Sequence, residues 1–458
     1  MKKLEKRAII CLTLAALLFI GICFFIGKLV MNGGDWATFY ANDHIYTEGK
    51  LDVGTIYDVN GKLLAENHKG EAEYNDDYSI RCATVHTVGD LAGNIAASAE
   101  SAFRSKLVGY NLLTGTYSIG GEGKKLYLTL DADVCKTAYN ALGGRNGVVA
   151  AYNYQTGEII CLVSSPGFDP ENPPSLSADD TSGIYINKFF DATLVPGSIF
   201  KLVTTAAVID KKRDADNWTY KCDGTNDVNG EKITCTSAHG TVDLYGALSN
   251  SCNCAYAQLT LEIGADAMKE YVEKLGLTKS YNVNGIETAV GSFQFPSEAN
   301  INLGWSGIGQ YEDQVNPCSM LAYMGAIANG GTAASPKIIH TTLGGKTRLT
   351  PESKVYSMLG LKKSTGELLS AETASQLADM MKNNVKTNYG EGNYPGLDIY
   401  AKSGTAEVGA WRAPNAWFVG FIKNPDYPYA FLVCVENGGT GSYVAGPIAN
   451  SVLQEIVD

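Results

Sequence analysis

The run from Ala8 to Gly27 constrains this chain more than any other feature: 20 consecutive uncharged, mostly apolar residues. A helix of that length rises about 30 Å, enough to cross the hydrocarbon core of a bilayer. Lys2, Lys3, Lys6 and Arg7 precede it, offset only by Glu5. The cluster carries +3 of a formal net charge of -12, so the remainder carries -15. Positive flanks stay on the cytoplasmic side, which predicts an N-in, C-out topology. A cleaved signal peptide has a shorter apolar region, about 7–15 residues, followed by a small-residue cleavage site. No Ala-x-Ala follows here, so the run reads as an uncleaved anchor. The chain then divides into a cytoplasmic tail (1–7), a transmembrane anchor (8–31), a small accessory module (32–145) and a large domain (146–458). A body this acidic, with a sequence pI of about 5.0, lacks the clustered Lys and Arg that neutralise phosphates, so nucleic acid is not an expected partner.

Cysteine usage bears on the outer body. Of 11 Cys, Cys11 and Cys23 lie in the anchor, which leaves nine outside it. An odd number cannot all pair internally. Cys222 and Cys235 flank a turn-rich stretch, Asp223 to Lys232, and could close a local disulfide in an oxidising compartment or stay reduced; the sequence leaves this open. A zinc reading of the same region has Cys222, Cys235 and His239, only three ligands at an atypical spacing. Cys252 and Cys254 read as two buried small hydrophobes.

Asp35 to about Arg145 is poor in long apolar periodicity. Alternating apolar residues before Asn60-Gly61 predict a hairpin over Gly54 to Ala65. Lys125 to Leu130 predicts a strand leading into Asp131, which would cap a helix over Ala132 to Leu142. From Gly147 the texture changes. Val148–Tyr152 and Glu158–Ser164 read as a second hairpin, followed by a Pro-rich loop from Pro166 to Pro174. Helices are predicted over Ser198–Asp210, Val242–Ile263, Ala265–Leu275, Asn316–Ala328, Ala371–Lys386 and Ala445–Val457. Strands are predicted over Asp398–Lys402, Ala416–Ile422 and Tyr429–Val435. This order gives an α+β fold, a mostly antiparallel sheet with helices on its faces.

Two tempting motifs fail. Gly344-Gly345-Lys346-Thr347 ends like a P-loop, but the required first Gly would fall at His340. Gly304-Trp305-Ser306-Gly307-Ile308 resembles a hydrolase elbow with the wrong last residue. Both are expected to be loops. Ser198-Ile199-Phe200-Lys201 is different. A Ser and a Lys three apart on a helix share one face, and a helix start favours developing negative charge. Such a Lys can act as base if burial and cationic neighbours lower its pKa. Alone the pattern is weak. Ser251-Cys252-Asn253 adds a hydroxyl and an amide suited to relaying a proton and holding a substrate amide. Lys402-Ser403-Gly404-Thr405 ends a predicted strand, where an extended peptide could pair and Gly404 lets it approach closely.

The three motifs, in this order, resemble those of the penicillin-binding proteins. The similarity extends to Gly157-Glu158-Ile159, Ser164-Ser165-Pro166, Pro196-Gly197, Ile308-Gly309-Gln310, Asn316-Pro317, Ala328-Asn329-Gly330-Gly331 and Ala406-Glu407, and so covers about residues 147–458. Gly54 to Ala65 resembles the first box of the monofunctional class B members, except that the usual Arg before that Gly is Val53. The short accessory module is most similar to the penicillin-binding protein A subgroup. A bifunctional class A member would need a glycosyltransferase domain, and only about 110 residues separate anchor and transpeptidase.

The resemblance implies the penicillin-binding transpeptidase fold and acyl transfer on peptidoglycan stem peptides ending in D-Ala-D-Ala. It implies β-lactams as covalent inhibitors and no metal or organic cofactor. Ser198 would be the nucleophile, Lys201 the acylation base, Ser251 the proton relay and Asn253 a substrate and lysine orienter. Lys402 would attract the terminal carboxylate and repel charge on Lys201, with Ser403, Gly404 and Thr405 lining the peptide's path. Backbone N–H groups of Ser198 and Thr405 would form the oxyanion hole. A membrane glycosyltransferase of the shape, elongation, division and sporulation family is the implied partner. Rival readings are a D,D-carboxypeptidase, a β-lactamase or β-lactam sensor, and a non-catalytic scaffold of the wall-synthesis complex. A sensor needs a cytoplasmic signalling domain, for which seven residues leave no room. A class A lactamase needs a deacylating Glu, and no motif for it is visible. A scaffold would not need the full set of chemical residues.

Overall fold

The fold comes from a computed structural model that describes residues 2–39, 53–68, 71–90, 92–108, 124–177, 179–340 and 363–458. The segment Gly344–Thr347 lies outside the described residues. The first helix, α1 (Lys2–Ala37), contains an apolar stretch of mean hydropathy 3.0 that is long enough to cross a membrane and is not buried against the rest of the chain. Leucines and phenylalanines stand exposed on every side of it, as expected of a helix solvated by lipid.

The accessory module is a four-stranded sheet. Strands β1 (Gly54–Tyr57), β2 (Leu63–His68) and β3 (Glu71–Tyr74) run antiparallel, and β4 (Lys125–Tyr127) joins β1 in parallel, in the order β3-β2-β1-β4. The expected hairpin is therefore present, and its turn has a mechanism. Asp58 accepts from the N–H groups of Asn60 (2.9 Å) and Lys62 (2.7 Å), and Gly61 takes φ +84°. Helices α2 (Tyr78–Val88) and α3 (Ala99–Leu107) complete the module. Gly54 stands where a Cβ would lie 2.3 Å from the Lys124 carbonyl.

The turn docks onto the next element. Helix α4 (Ala132–Leu142) begins at the expected cap: Asp131 accepts from the N–H groups of Asp133 and Val134. Its other carboxylate oxygen accepts from Asn60 Nδ2 at 2.7 Å. Lys62 bonds Asp133, and Asp58 accepts from the Ala132 N–H. Arg81 of α2 grips Asp169 of the Pro-rich loop through Nε and Nη2, both at 2.9 Å. Paired fork contacts of this kind are the strong class of charged hydrogen bonds. Val53, in place of the usual Arg, is buried in the module core.

The large domain is built on β5 (Gly147–Asn153) and β6 (Ile159–Ser165), which form the second expected hairpin. After β6 come the short α5 (Lys188–Asp191), a 3₁₀ turn over Gly197–Phe200 and α6 (Lys201–Lys211). The nucleophile candidate Ser198 thus lies in a tight turn before the α-helix, one turn earlier than a continuous helix over Ser198–Asp210 would have it. Two ribbons follow. The outer strands β7 (Thr219–Cys222) and β10 (Gly240–Asp243) pair with each other, as do β8 (Thr225–Val228) and β9 (Glu231–Thr234).

The single helix expected over Val242–Ile263 is two: α7 (Leu244–Ser249) and α8 (Asn253–Lys274). Ser251 breaks them with φ +50°, a left-handed conformation that costs a non-glycine residue about 1–3 kcal/mol. Apolar periodicity continues across the break, so it gave no warning. The helix expected over Ala265–Leu275 is the second half of α8, beyond a kink at Gly264.

A two-residue ribbon, β11 (Asn282–Val283) with β12 (Ile286–Glu287), precedes α9 (Ile301–Ser306). Gly304-Trp305-Ser306 is therefore helical rather than a loop: Asn300 caps it, and a Cβ at Gly304 would press on Ile233 and Ala257. Helix α10 (Pro317–Ala328) has Asn316 as cap and Pro at its first turn. It leads to α11 (Ala371–Asn384), then strands β13 (Ile399–Ala406), β14 (Asn415–Ile422) and β15 (Tyr429–Val435), and α12 (Gly441–Val457). The sheet order is β13-β14-β15-β5-β6, antiparallel throughout. Strand β14 is buried along its whole length, because α10 and α12 cover the sheet. Among the described residues, strand β13 lies at the sheet's edge, paired with β14 alone.

Candidate active site

Three pieces of chain meet at that edge. The first is the 3₁₀ turn carrying Ser198. Gly197 enters it at φ +55° and donates its N–H to the Gly309 carbonyl at 2.8 Å. A Cβ there would lie 2.7 Å from that of Ala406, so only glycine lets the turn sit against β13. Trp417 of β14 donates Nε1–H to the Val195 carbonyl at 2.9 Å and ties the approach to the sheet. Phe200 stacks on Phe293 on the far side, with centroids 5.4 Å apart. Ser198 itself is half-buried, between the buried Gly197 and Ile199.

Lys201, one turn on, is fully buried. Its Nζ donates to the Ser251 carbonyl (2.6 Å), Ser251 Oγ (3.1 Å) and Asn253 Oδ1 (2.8 Å). An ammonium has three protons, and these three acceptors occupy them all. Among the described residues no hydrogen bond joins Lys201 to the Ser198 hydroxyl. Loss of one proton would free a lone pair on the amine for that hydroxyl. Burial drives this lysine's pKa down to about 8, partly offset by the sulfurs of Cys235, Cys252 and Cys254.

The second piece is the break between α7 and α8. The left-handed turn at Ser251 is what lets its carbonyl and hydroxyl face Lys201 together. Asn253 Nδ2 donates to the Thr234 carbonyl at 3.0 Å, which fixes the amide so that its oxygen faces the lysine. The third piece is β13. Lys402, also buried, donates to Ser251 Oγ at 3.2 Å and to the Ser403 carbonyl at 2.8 Å. Its pKa falls well below the usual ammonium value, first through burial and then through Lys201. The like-charge repulsion expected to act on Lys201 is thus expressed on Lys402, and burial is what depresses Lys201.

The remaining expected residues line the strand. Gly404 packs against the turn, where a Cβ would stand 3.0 Å from Ile199 Cγ2. Thr405 is exposed and its hydroxyl accepts from the Gly441 N–H at 3.3 Å. The Ser403 hydroxyl accepts from Tyr389 (3.0 Å), and the same Tyr389 oxygen accepts from the Ser403 N–H at 2.8 Å. Tyr389 was not foreseen. It ends a π turn, Val385–Tyr389, after α11, and nothing in sequence marks a tyrosine whose role depends on a wide turn. Tyr256 was also missed: it sits in α8 among buried apolar residues, and its ring lies 5.6 Å from Lys201 Nζ.

One cluster could hold a metal. The ligand atoms of Cys222, Cys235, His239 and Cys252 lie within 4.8 Å of one another. The Cys222–Cys235 pairing that the sequence left open is not formed: both residues are free thiols. Cys252 and Cys254 are buried, as expected, but Cys252 is also the fourth member of the cluster. It escaped notice because it sits inside the Ser251–Asn253 motif, where its neighbours carry the signal.

Residues 147–454 match the model of the penicillin binding protein transpeptidase domain. The chain is 28% identical over 339 residues to the peptidoglycan D,D-transpeptidase PbpA of Mycobacterium tuberculosis, covering 68% of this chain and 67% of that one. It is 26% identical over 363 residues to the stage V sporulation protein D of Bacillus subtilis, covering 74% of this chain and 54% of that protein. In fold it is similar to penicillin-binding protein A of M. tuberculosis, solved as a penicillin G acyl-enzyme complex, with a TM-score of 0.74 at 24% identity over 89% of this chain and 100% of that one.

Proposed function

Since the chain belongs to the penicillin-binding protein transpeptidase family, we propose that it crosslinks peptidoglycan as a D,D-transpeptidase through an acyl-enzyme on Ser198. The observation that carries the assignment of roles is the shared hydrogen-bond network in which Ser251 Oγ accepts from both Lys201 and Lys402. Ser198 Oγ attacks the carbonyl of the penultimate D-Ala while neutral Lys201 takes its proton. The C–N bond breaks, and the proton passes through Ser251 to the departing amine of the terminal D-Ala. An acceptor amine from a neighbouring stem then attacks the ester. The new amide forms, the C–O bond breaks, and Ser198 regains its proton. Splitting the transfer in two is covalent catalysis.

Asn253 holds the substrate backbone and orients Lys201. Lys402, with Ser403 and Thr405, receives the terminal carboxylate, and the peptide pairs along the free edge of β13 beside Gly404. The N–H groups of Ser198 and Thr405 stabilise the oxyanion. Fluorescent penicillin labelling separates this enzyme from an inert scaffold. Product analysis with a donor and an acceptor peptide separates transfer from hydrolysis: only the water product would move the assignment to a carboxypeptidase.

The domain reading places residues 1–7 in the cytoplasm, 8–31 in the membrane and the rest outside. The positive cluster before Ala8 supports this orientation. Protease added to intact spheroplasts should digest the body and spare an N-terminal tag; a protected body would refute it. The partner we infer is a membrane glycosyltransferase of the shape, elongation, division and sporulation family, contacted by the anchor and by module 32–145. Pull-down with the full chain should recover it, and deletion of residues 1–145 should abolish recovery. Glycan polymerisation by the purified chain alone would refute the monofunctional reading.

A further inference from the structure

The cysteine–histidine cluster behind the Ser251–Asn253 turn has a spacing and geometry that the acyl-transfer chemistry does not require. Twelve residues separate Cys222 from Cys235, three separate Cys235 from His239, and twelve separate His239 from Cys252. The ribbons explain the convergence. Cys222 ends β7, Cys235 follows β9, His239 precedes β10 and Cys252 caps α8. Three short strands and the start of the long helix α8 are brought to one point.

Two of the six ligand–ligand distances match the edges of a metal tetrahedron, and the rest lie within 4.8 Å. Zn–S bonds of about 2.3 Å and Zn–N bonds of about 2.0–2.1 Å at tetrahedral angles give S···S edges of about 3.8 Å and S···N edges of about 3.6 Å. Cys235 Sγ and Cys252 Sγ are 3.6 Å apart, and Cys222 Sγ and His239 Nδ1 are 3.6 Å apart. A disulfide would need about 2.05 Å, and all of these thiols are free.

The surroundings suit thiolates. The Cys254 N–H points at Cys235 Sγ (3.3 Å) and the Ala255 N–H at Cys252 Sγ (3.4 Å). Both donors belong to the first turn of α8, whose dipole favours negative charge. The neighbouring Cys254 lies beside Cys235 but is not one of the four mutually close ligands, and its thiol donates to the Ile233 carbonyl at 3.5 Å. Cys222 and Cys252 are buried and the other two half-buried, so four protein ligands would close the site and leave no position for a reacting water.

We propose that Cys222, Cys235, His239 and Cys252 bind one structural Zn²⁺ that holds Ser251 and Asn253 in place for catalysis. Three thiolates with one imidazole in a tetrahedron favour Zn²⁺ over the harder, oxygen-seeking cations. Binding displaces the three thiol protons to solvent and involves no change of oxidation state. Cys252 lies between Ser251 and Asn253. Asn253 also bonds Thr234, the residue next to Cys235. The ion therefore pins both sides of the left-handed turn on which the Lys201 network depends. Ser251, Asn253 and the ligands share one loop system, so the metal acts on position, not on the reacting atoms.

The test uses the full-length chain in detergent, without a histidine tag, purified from zinc-supplemented culture. Elemental analysis should find about one zinc per chain in the wild type and in Cys254→Ala, and most of it lost in Cys235→Ser and Cys252→Ser. Should those variants fail to fold, the wild type still decides. Stripped of zinc and titrated with Co²⁺, it should show the visible bands of a tetrahedral ion together with thiolate-to-metal charge transfer. Absence of those bands, zinc retained by both serine variants, or a Cys235–Cys252 disulfide in the native protein would each overturn the site. Removing the metal should slow β-lactam acylation, and zinc should restore it. An unchanged acylation rate after removal would overturn the positioning role. Because metal content is read without any substrate, failure here is distinguishable from failure of the transpeptidase reading.

Discussion

Acylation of Ser198 should follow the deprotonation of Lys201, and the structure sets where. Burial pushes that ammonium down to about 8 from an ordinary 10.5. A pKa of about 8 leaves about 10% of the amine neutral at pH 7, about half at pH 8 and about 90% at pH 9. An unperturbed lysine would be neutral in only about 0.03% of molecules at pH 7, so burial supplies about a 300-fold gain in active base. The second-order rate of acylation by a fluorescent penicillin, followed by stopped flow in the purified full chain, should therefore rise about tenfold from pH 7 to pH 9. It should bend near pH 8 and level off above it. Lys201→Met keeps an unbranched side chain, one atom shorter, that cannot act as a base. It should lose about 10²–10⁴-fold in rate, the usual cost of removing a general base, and its profile should lose the bend. A wild-type rate that stays flat across this range, or one that climbs without levelling until pH 10, would refute the assignment of the base.

Two further outcomes follow from side chains outside the motifs. His86 of α2 is buried, with Nε2 2.8 Å from the Ile184 carbonyl, and burial pushes its pKa down to about 4 from 6.5. The unfolded chain therefore binds this proton first, so His86 carries no penalty above about pH 6.5 and costs stability increasingly as pH falls towards 4, by about 3 kcal/mol in all. His86→Gln should flatten the acid limb of a denaturant-midpoint-versus-pH curve, and an unaltered limb would count against it. Tyr389→Phe leaves the part-buried Ser403 N–H without its acceptor, which costs at most the about 1–3 kcal/mol of a fully buried donor. It should lower the melting temperature and slow acylation together; wild-type values for both would show that the tyrosine does not set the strand.

Local physics made much of this fold legible in advance. Asp131 read as a helix cap because a short polar side chain before an apolar run has few other uses, and it caps as expected. The hairpin at Asn60-Gly61 and the final three strands followed from alternation and turn residues. The motif residues were legible as types, and the structure brings Lys201, Ser251, Asn253 and Lys402 into one network. What stayed hidden depends on long-range geometry. Ser251 breaks a helix with no glycine or proline to announce it, since the strain is repaid by contacts with a lysine 50 residues away in sequence. Tyr389 reaches Ser403 only through a π turn. Cys252 joins a metal-like cluster only once two ribbons fold over the start of α8.

The central claim is an ester on Ser198, and intact-protein mass spectrometry tests it most directly. After incubation with penicillin G, the full-length chain should gain the mass of one penicilloyl group, and peptide mapping should place it on the peptide containing Ser198. Ser198→Ala, folded to the same melting temperature, should gain none. An adduct that survives Ser198→Ala, or one mapped to another residue, would contradict the mechanism.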